Sequence, residues 1–152
     1  MNIKILGAFA AVALLAACSE TPAPTPAPVS TGPVPGSQED LVATVGDRVF
    51  FDFDKSTLRA DGRTTLERQA GWLAKWAQNN VQVAGNTDER GTQEYNIALG
   101  NRRANAARDF LVAKGVAAGR ITTISFGKDR PTALGSDEAA WAQNRNAITS
   151  VR

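Results

Sequence analysis

Proline placement limits this chain more than any other feature. Six of its seven prolines lie between Pro22 and Pro35, and the seventh is Pro131. Proline has a fixed φ and no N–H, so the early stretch cannot build a helix interior or a central strand. Thr21 to Pro28 alternates proline with small residues. That pattern favours polyproline-II, a semi-rigid spacer rising roughly 3.1 Å per residue where extended. Residues 18–46 therefore read as a tether, and residues 47–152 as one folded domain.

The segment ahead of the tether has the form of a secretory signal, residues 1–17. Lys4 gives it a positive start, and Ile5 to Ala17 is apolar but too short to span a bilayer. It ends Leu15-Ala16-Ala17-Cys18, and Cys18 is the only cysteine in the chain. This ending resembles the lipobox of bacterial lipoproteins. The resemblance implies cleavage before Cys18 and lipidation of its thiol. Several acyl chains on one residue would anchor firmly, since each buried CH₂ contributes about 0.8 kcal/mol. Ser19 follows rather than aspartate, which in this resemblance favours the outer membrane.

Composition excludes several functions. Seventeen basic and fifteen acidic side chains leave a net charge of +2. The basic residues are scattered among acids, unlike the clustered face that nucleic acid requires. The chain has no histidine, the commonest general base and metal ligand. One cysteine permits no internal disulfide and no cysteine metal cluster. No cofactor or metal is expected.

The domain opens on Arg48 to Asp54, an aromatic and β-branched run that reads as a strand. Leu66, Ala70, Leu73 and Ala77 then form one apolar stripe on a helix spanning about 60–78. Val81 to Gly85 reads as a second strand. A helix follows over about 93–114, with Thr92 as N-cap and Gly115 beyond its end. Leu99, Ala106, Phe110 and Ala113 mark its apolar face. Ile121 to Phe126 reads as a third strand, Asp137 to Asn144 as a short helix capped by Ser136, and Asn146 to Val151 as a weak final strand. The order β-α-β-α-β-α-β predicts an α/β (α+β) two-layer sandwich, with helices packed on a mixed four-stranded sheet. Strand order is not legible at this level.

The chemistry concentrates between the second strand and the long helix, in Gly85-Asn86-Thr87-Asp88-Glu89-Arg90-Gly91-Thr92. Asp88 lies on the loop. Asn96, Leu99 and Arg103 fall at i, i+3 and i+7, on one helix face. If that face turns to the loop, Asp88 could accept from an ammonium and Arg103 could fork a carboxylate, a pairing suited to a zwitterion. Spacing alone favours the ordinary outcome, an Asp–Arg salt bridge on the surface.

The residues Thr87-Asp88, Gly91, Asn96, Leu99 and Arg103-Ala104 resemble the motif of the outer-membrane-protein-A-like (OmpA-like) C-terminal domain family. The fuller string Gly85–Thr92 with Glu94–Gly100 and Arg102–Ala104, together with Phe50–Lys55 and Asp137–Trp141, resembles its lipoprotein branch, the peptidoglycan-associated lipoproteins. The resemblance spans about 48–146. It implies an OmpA-like fold and non-covalent binding of peptidoglycan through the diaminopimelate of its stem peptide. In the family pattern the binding aspartate falls on Asp88 and the arginine on Arg103. Thr87 and Asn96 match neighbouring polar contacts, Leu99 is a matched motif residue counted with the binding set, and Asp52 matches the aspartate after the first strand that also lines the pocket.

The resemblance further implies a Tol–Pal envelope system acting in cell division, with TolB and other Tol-system proteins as partners. The domain would face the periplasm from the outer membrane. One departure stands out. The family usually has Asn-Arg-Arg before the last strand, and this chain has Asn144-Arg145-Asn146. Arg145 matches the first arginine, and the resemblance implies that it keeps its role among the ligand-binding residues. Loss of the second supports an alternative, a module that chiefly docks TolB and grips the wall weakly. A wall-cleaving enzyme is disfavoured by the missing histidine and the lipid-committed Cys18.

Overall fold

The computed structural model describes residues 32–152. The signal, Cys18 and most of the tether lie outside the described residues. The elements are α1 (Gln38–Thr44), β1 (Arg48–Phe50), α2 (Ala60–Lys75), β2 (Val81–Asn86), α3 (Gln93–Ala113), a 3-10 turn (Ala118–Arg120), β3 (Ile121–Gly127), α4 (Glu138–Asn144) and β4 (Asn146–Val151). The sheet order is β1-β4-β2-β3. β2 and β3 run parallel, and β4 is antiparallel to both β1 and β2. This is the mixed four-stranded α/β sheet that the element order predicts.

The polar β4 sits inside the sheet, paired on both sides. Its buried polar groups each find a partner, as buried groups must. Thr149 Oγ1 donates to Gln69 Oε1 at 2.9 Å, and Gln69 Nε2 donates to the Gly46 carbonyl at 2.8 Å. Asn146 Oδ1 accepts from Asn86 Nδ2 at 2.8 Å.

Several boundaries differ from the sequence reading. β1 ends at Phe50, not Asp54. Phe51 N donates to the Arg145 carbonyl, Lys55 N donates back to Asp52 O, and Asp54 takes a left-handed φ of 57°. The chain therefore turns there and leaves the sheet. α2 stops at Lys75, so Ala77 is exposed and the apolar stripe ends at Leu73. Arg120 closes that end, donating to the carbonyls of Leu73, Trp76 and Asn79. The face of α3 against the sheet carries Leu99, Gly100, Arg103, Ala104, Ala107 and Leu111, while Ala113 is exposed. Small residues let this helix lie close to the strands. Asp137, not Ser136, caps α4, accepting from Ala140 N at 2.8 Å.

α1 falls where the sequence suggested only tether. Polyproline character ends at Pro35, and Ser37 caps the helix by accepting from Asp40 N at 3.2 Å. Leu41 is fully buried in the core. Asp40 accepts from Gly36 N at 2.8 Å and from Trp72 Nε1 at 2.9 Å. These bonds hold its carboxyl below the usual range, led by the Gly36 N–H. Leu41→Ala is expected to undock α1 while the sheet stays folded. Hydrogen exchange should then speed up over residues 38–45 and stay slow in β2 and β4. Unchanged exchange in α1 would mean that the polar bonds alone hold it.

Candidate ligand-binding site

β2 ends against the start of α3, and the loop between them is pinned from both sides. Thr87 N donates to the Gly127 carbonyl at 2.8 Å. Thr92 caps α3 by accepting from Tyr95 N at 3.2 Å. Asn96 Nδ2 donates to the carbonyls of Arg90 and Thr92 at 2.9 and 3.0 Å. Gly91, at φ 94°, makes the left-handed turn that this loop requires. Asn96 thus shapes the loop as well as lining the cavity behind it.

That cavity has a volume of about 190 Å³. Its walls include Phe53 and Asp54 from the turn after β1, Thr87, Asp88 and Arg90 from the loop, and Tyr95, Asn96, Leu99 and Arg103 from α3. Five sequence-predicted residues therefore meet in one pocket: Thr87, Asp88, Asn96, Leu99 and Arg103. Two predicted residues stand elsewhere. Asp52 gives its carbonyl to Arg103, but its exposed carboxylate faces Arg59 at 3.9 Å. Arg145 is buried behind Asp88.

The surface salt bridge does not form. Asp88 and Arg103 are both buried, and each has other partners. Asp88 Oδ1 accepts from Arg90 N and Nε, both at 3.1 Å. Its Oδ2 accepts from Arg90 Nη2 at 2.7 Å and lies 3.5 Å from Arg145 Nη1. Burial alone would raise the Asp88 pKa. The Arg90 bonds and charge and the Arg145 contact outweigh it and hold the carboxyl below its ordinary value. Asp88 is thus a carboxylate at neutral pH.

Arg103 is fully buried. Its Nε donates to Lys55 O at 2.8 Å, Nη1 to Asn86 O at 2.8 Å and Nη2 to Asp52 O at 3.2 Å. Burial lowers its pKa to about 10, so it remains a cation at neutral pH. A guanidinium has five N–H donors, which leaves two for a ligand, one on each terminal nitrogen. Thr87 Oγ1 is buried and, among the described residues, has no hydrogen-bond partner. A ligand in the cavity that Thr87 lines could supply one.

Sequence reasoning missed Arg90, Phe53 and Asp54. The Arg90 guanidinium lies 4.0 Å from the ring centre of Phe53 and 4.0 Å from that of Trp141. Tyr95 Oη donates to the Asp54 carboxylate at the pocket rim. Arg-Gly beside a capped helix is common loop chemistry, so the only signal was the density of charge in the stretch.

Known proteins share this arrangement of strand, loop and helix. The OmpA family model matches residues 50–145. A peptidoglycan-associated lipoprotein of Mesorhizobium japonicum is 57% identical over 77% of this chain and 70% of its own length. One from Pasteurella multocida is 43% identical over 95% of both chains. The crystal structure of the peptidoglycan-associated lipoprotein from Burkholderia pseudomallei superposes with a TM-score of 0.70 at 40% identity, covering 77% of this chain and 98% of that one. With the pocket and its loop falling inside the matched span, the chain belongs to the OmpA family and, within it, to the group of the peptidoglycan-associated lipoproteins.

Proposed function

We propose that this chain is an outer-membrane lipoprotein that binds peptidoglycan through the diaminopimelate of the stem peptide. The relatives it matches are named for association with peptidoglycan and for lipidation. They and the OmpA family are binding proteins, not enzymes. The observation that carries the finer reading is the pocket itself. It is small, about 190 Å³, and sets the carboxylate of Asp88 and the guanidinium of Arg103 in one lining. Drug-sized ligands need roughly 300 Å³ or more, whereas the zwitterionic end of one amino acid fits a smaller space. Diaminopimelate offers such an end, an ammonium and a carboxylate on one carbon. Lipidation at Cys18 and the Pro-rich tether would let the domain reach the wall from the outer membrane.

The same reading makes the chain part of a Tol–Pal system, with TolB and other Tol-system proteins docking on this face. The alternative of weak wall binding rests on Asn146. That side chain is fully buried, donates to Gln143 O at 2.7 Å and does not line the pocket. The substitution therefore gives no reason to expect a weak grip.

Asp88→Asn tests the reading, because it keeps the shape of the side chain and removes its charge. Pull-down on purified diaminopimelate-type sacculi should fall by more than tenfold, in line with roughly 2–5 kcal/mol for truncating a buried charge pair. Undiminished binding by a folded variant would sink the assignment.

A further inference from the structure

Asp88 meets the pocket with its charge already answered. Arg90 contacts both of its oxygens through Nε, Nη2 and the backbone N–H, at 2.7 to 3.1 Å. Behind it, Arg145 donates to Glu138 Oε1 at 2.6 Å and to Phe51 O at 3.1 Å. Glu138 Oε2 also lies 4.0 Å from Arg90. The group Asp88, Glu138, Arg90 and Arg145 is thus balanced, with two negative and two positive charges. An ammonium placed on Asp88 has to displace Arg90 from part of the carboxylate. If it arrives alone, it leaves the group one charge too positive in a partly dry site.

The two pocket arginines are held in different ways. Arg103 is fully buried and bonded to three main-chain carbonyls. The Arg90 side chain is about a third exposed, and its guanidinium rests between the faces of Phe53 and Trp141. Attraction to a ring face depends on where the cation lies over the ring and not on which N–H edge it presents, so it does not tie the guanidinium to Asp88. Arg90 can therefore release Asp88 without leaving its aromatic berth.

We propose that Arg90 is a displaceable internal counter-ion that makes the pocket selective for a ligand carrying ammonium and carboxylate together. The ligand ammonium takes Asp88, and the ligand carboxylate is held between the two free N–H groups of Arg103 and the N–H edge that Arg90 has freed. Each charge exchanges one partner for another, and the cluster stays neutral. A ligand with the ammonium alone strands Arg90. This inference rests on the wall-binding reading above and names the residue that sets its specificity.

Calorimetric titration of the full chain with two peptides tests it. One peptide carries diaminopimelate. The other carries lysine in its place, with the same ammonium but no side-chain carboxylate. The wild type should prefer the diaminopimelate peptide by at least tenfold. Arg90→Gln should reduce that ratio towards one, chiefly by tightening the lysine peptide. An equal loss of both peptides in a variant with unchanged melting overturns the proposal and leaves the wall reading standing. Failure of the wild type to bind either peptide overturns both. Tryptophan emission gives a second readout in the unaltered protein, since Arg90 must turn over Trp141. A saturating diaminopimelate peptide should change the emission, and constant emission overturns the proposal without any variant.

Discussion

Arg103→Ala is expected to lose about 4 kcal/mol or more of folding stability, and far more than a contact residue at a pocket edge would lose. The side chain is fully buried and supplies donors to the carbonyls of Lys55, Asn86 and Asp52. Those carbonyls belong to the turn after β1 and to the end of β2, so one guanidinium ties two separate parts of the chain. An acceptor stripped of its donor costs roughly 1–3 kcal/mol, and a bond to a charged group contributes roughly 1.5–3. Part of that cost is relieved where water enters the pocket. The remainder is still a large share of the roughly 5–15 kcal/mol that holds a typical domain together. Urea denaturation followed by tryptophan emission measures it. Arg103→Lys should lose about half as much, since one ammonium on a flexible stem cannot reach three carbonyls at once. A loss below about 1 kcal/mol in Arg103→Ala would mean that the three bonds contribute little. The result also decides how binding data are read, because lost wall affinity in Arg103→Ala reports the pocket only where the variant is shown to be folded.

Gly85→Ala should cost about 3 kcal/mol or more, through overpacking rather than lost bonding. β2 and α3 touch backbone to backbone at this point. A Cβ on Gly85 would stand 1.8 Å from the Gly100 carbonyl oxygen and 2.6 Å from its carbon. Neither atom belongs to a side chain that could rotate away, so the whole helix must recede. Overpacking a core typically costs 1–3 kcal/mol, and more where backbone has to shift. In a domain near 100 residues each kcal/mol moves the melting temperature by roughly 4–8 °C, so a drop of more than about 10 °C is expected. Gly100→Ala should be milder. Its nearest obstacle, at 2.2 Å, is the Ser125 hydroxyl, which can turn, although the Gly85 carbonyl at 2.8 Å remains. Because α3 carries Asn96, Leu99 and Arg103 into the pocket, Gly85→Ala should weaken ligand binding as well. A melting temperature within a few degrees of wild type would contradict the close approach.

Much of this was legible in the sequence where it depended on local pattern. Helical spacing put Asn96, Leu99 and Arg103 on one face, and all three line the pocket. Thr92 and Gly115 marked the ends of α3. What pattern could not supply was partner choice. Arg103 read as a fork for a ligand, yet most of its donors bond main-chain carbonyls distant in sequence. Asp52 and Asp54 would share one face of a continuous strand, since side chains alternate with period 2. The chain instead turns at Asp54, with φ 57°, and only Asp54 reaches the pocket. Arg90 was passed over because its stacking partners, Phe53 and Trp141, come from segments far away in sequence. α1 was hidden by its neighbours, since the prolines that precede it dominate the local composition.

The position of β4 bears on the order of assembly. In the finished sheet β1 and β2 do not touch, because β4 lies between them. A nascent chain that stops short of residue 146 therefore holds two strands with no partner in common. Synthesis runs from the N-terminus, so the sheet cannot close until residues 146–151 have left the ribosome. Until then the apolar positions Val49, Val81 and Val83 lack the strand that joins their two halves of the sheet. Docking of β1 is therefore a late event, because its one sheet neighbour among the described residues is made after every other strand.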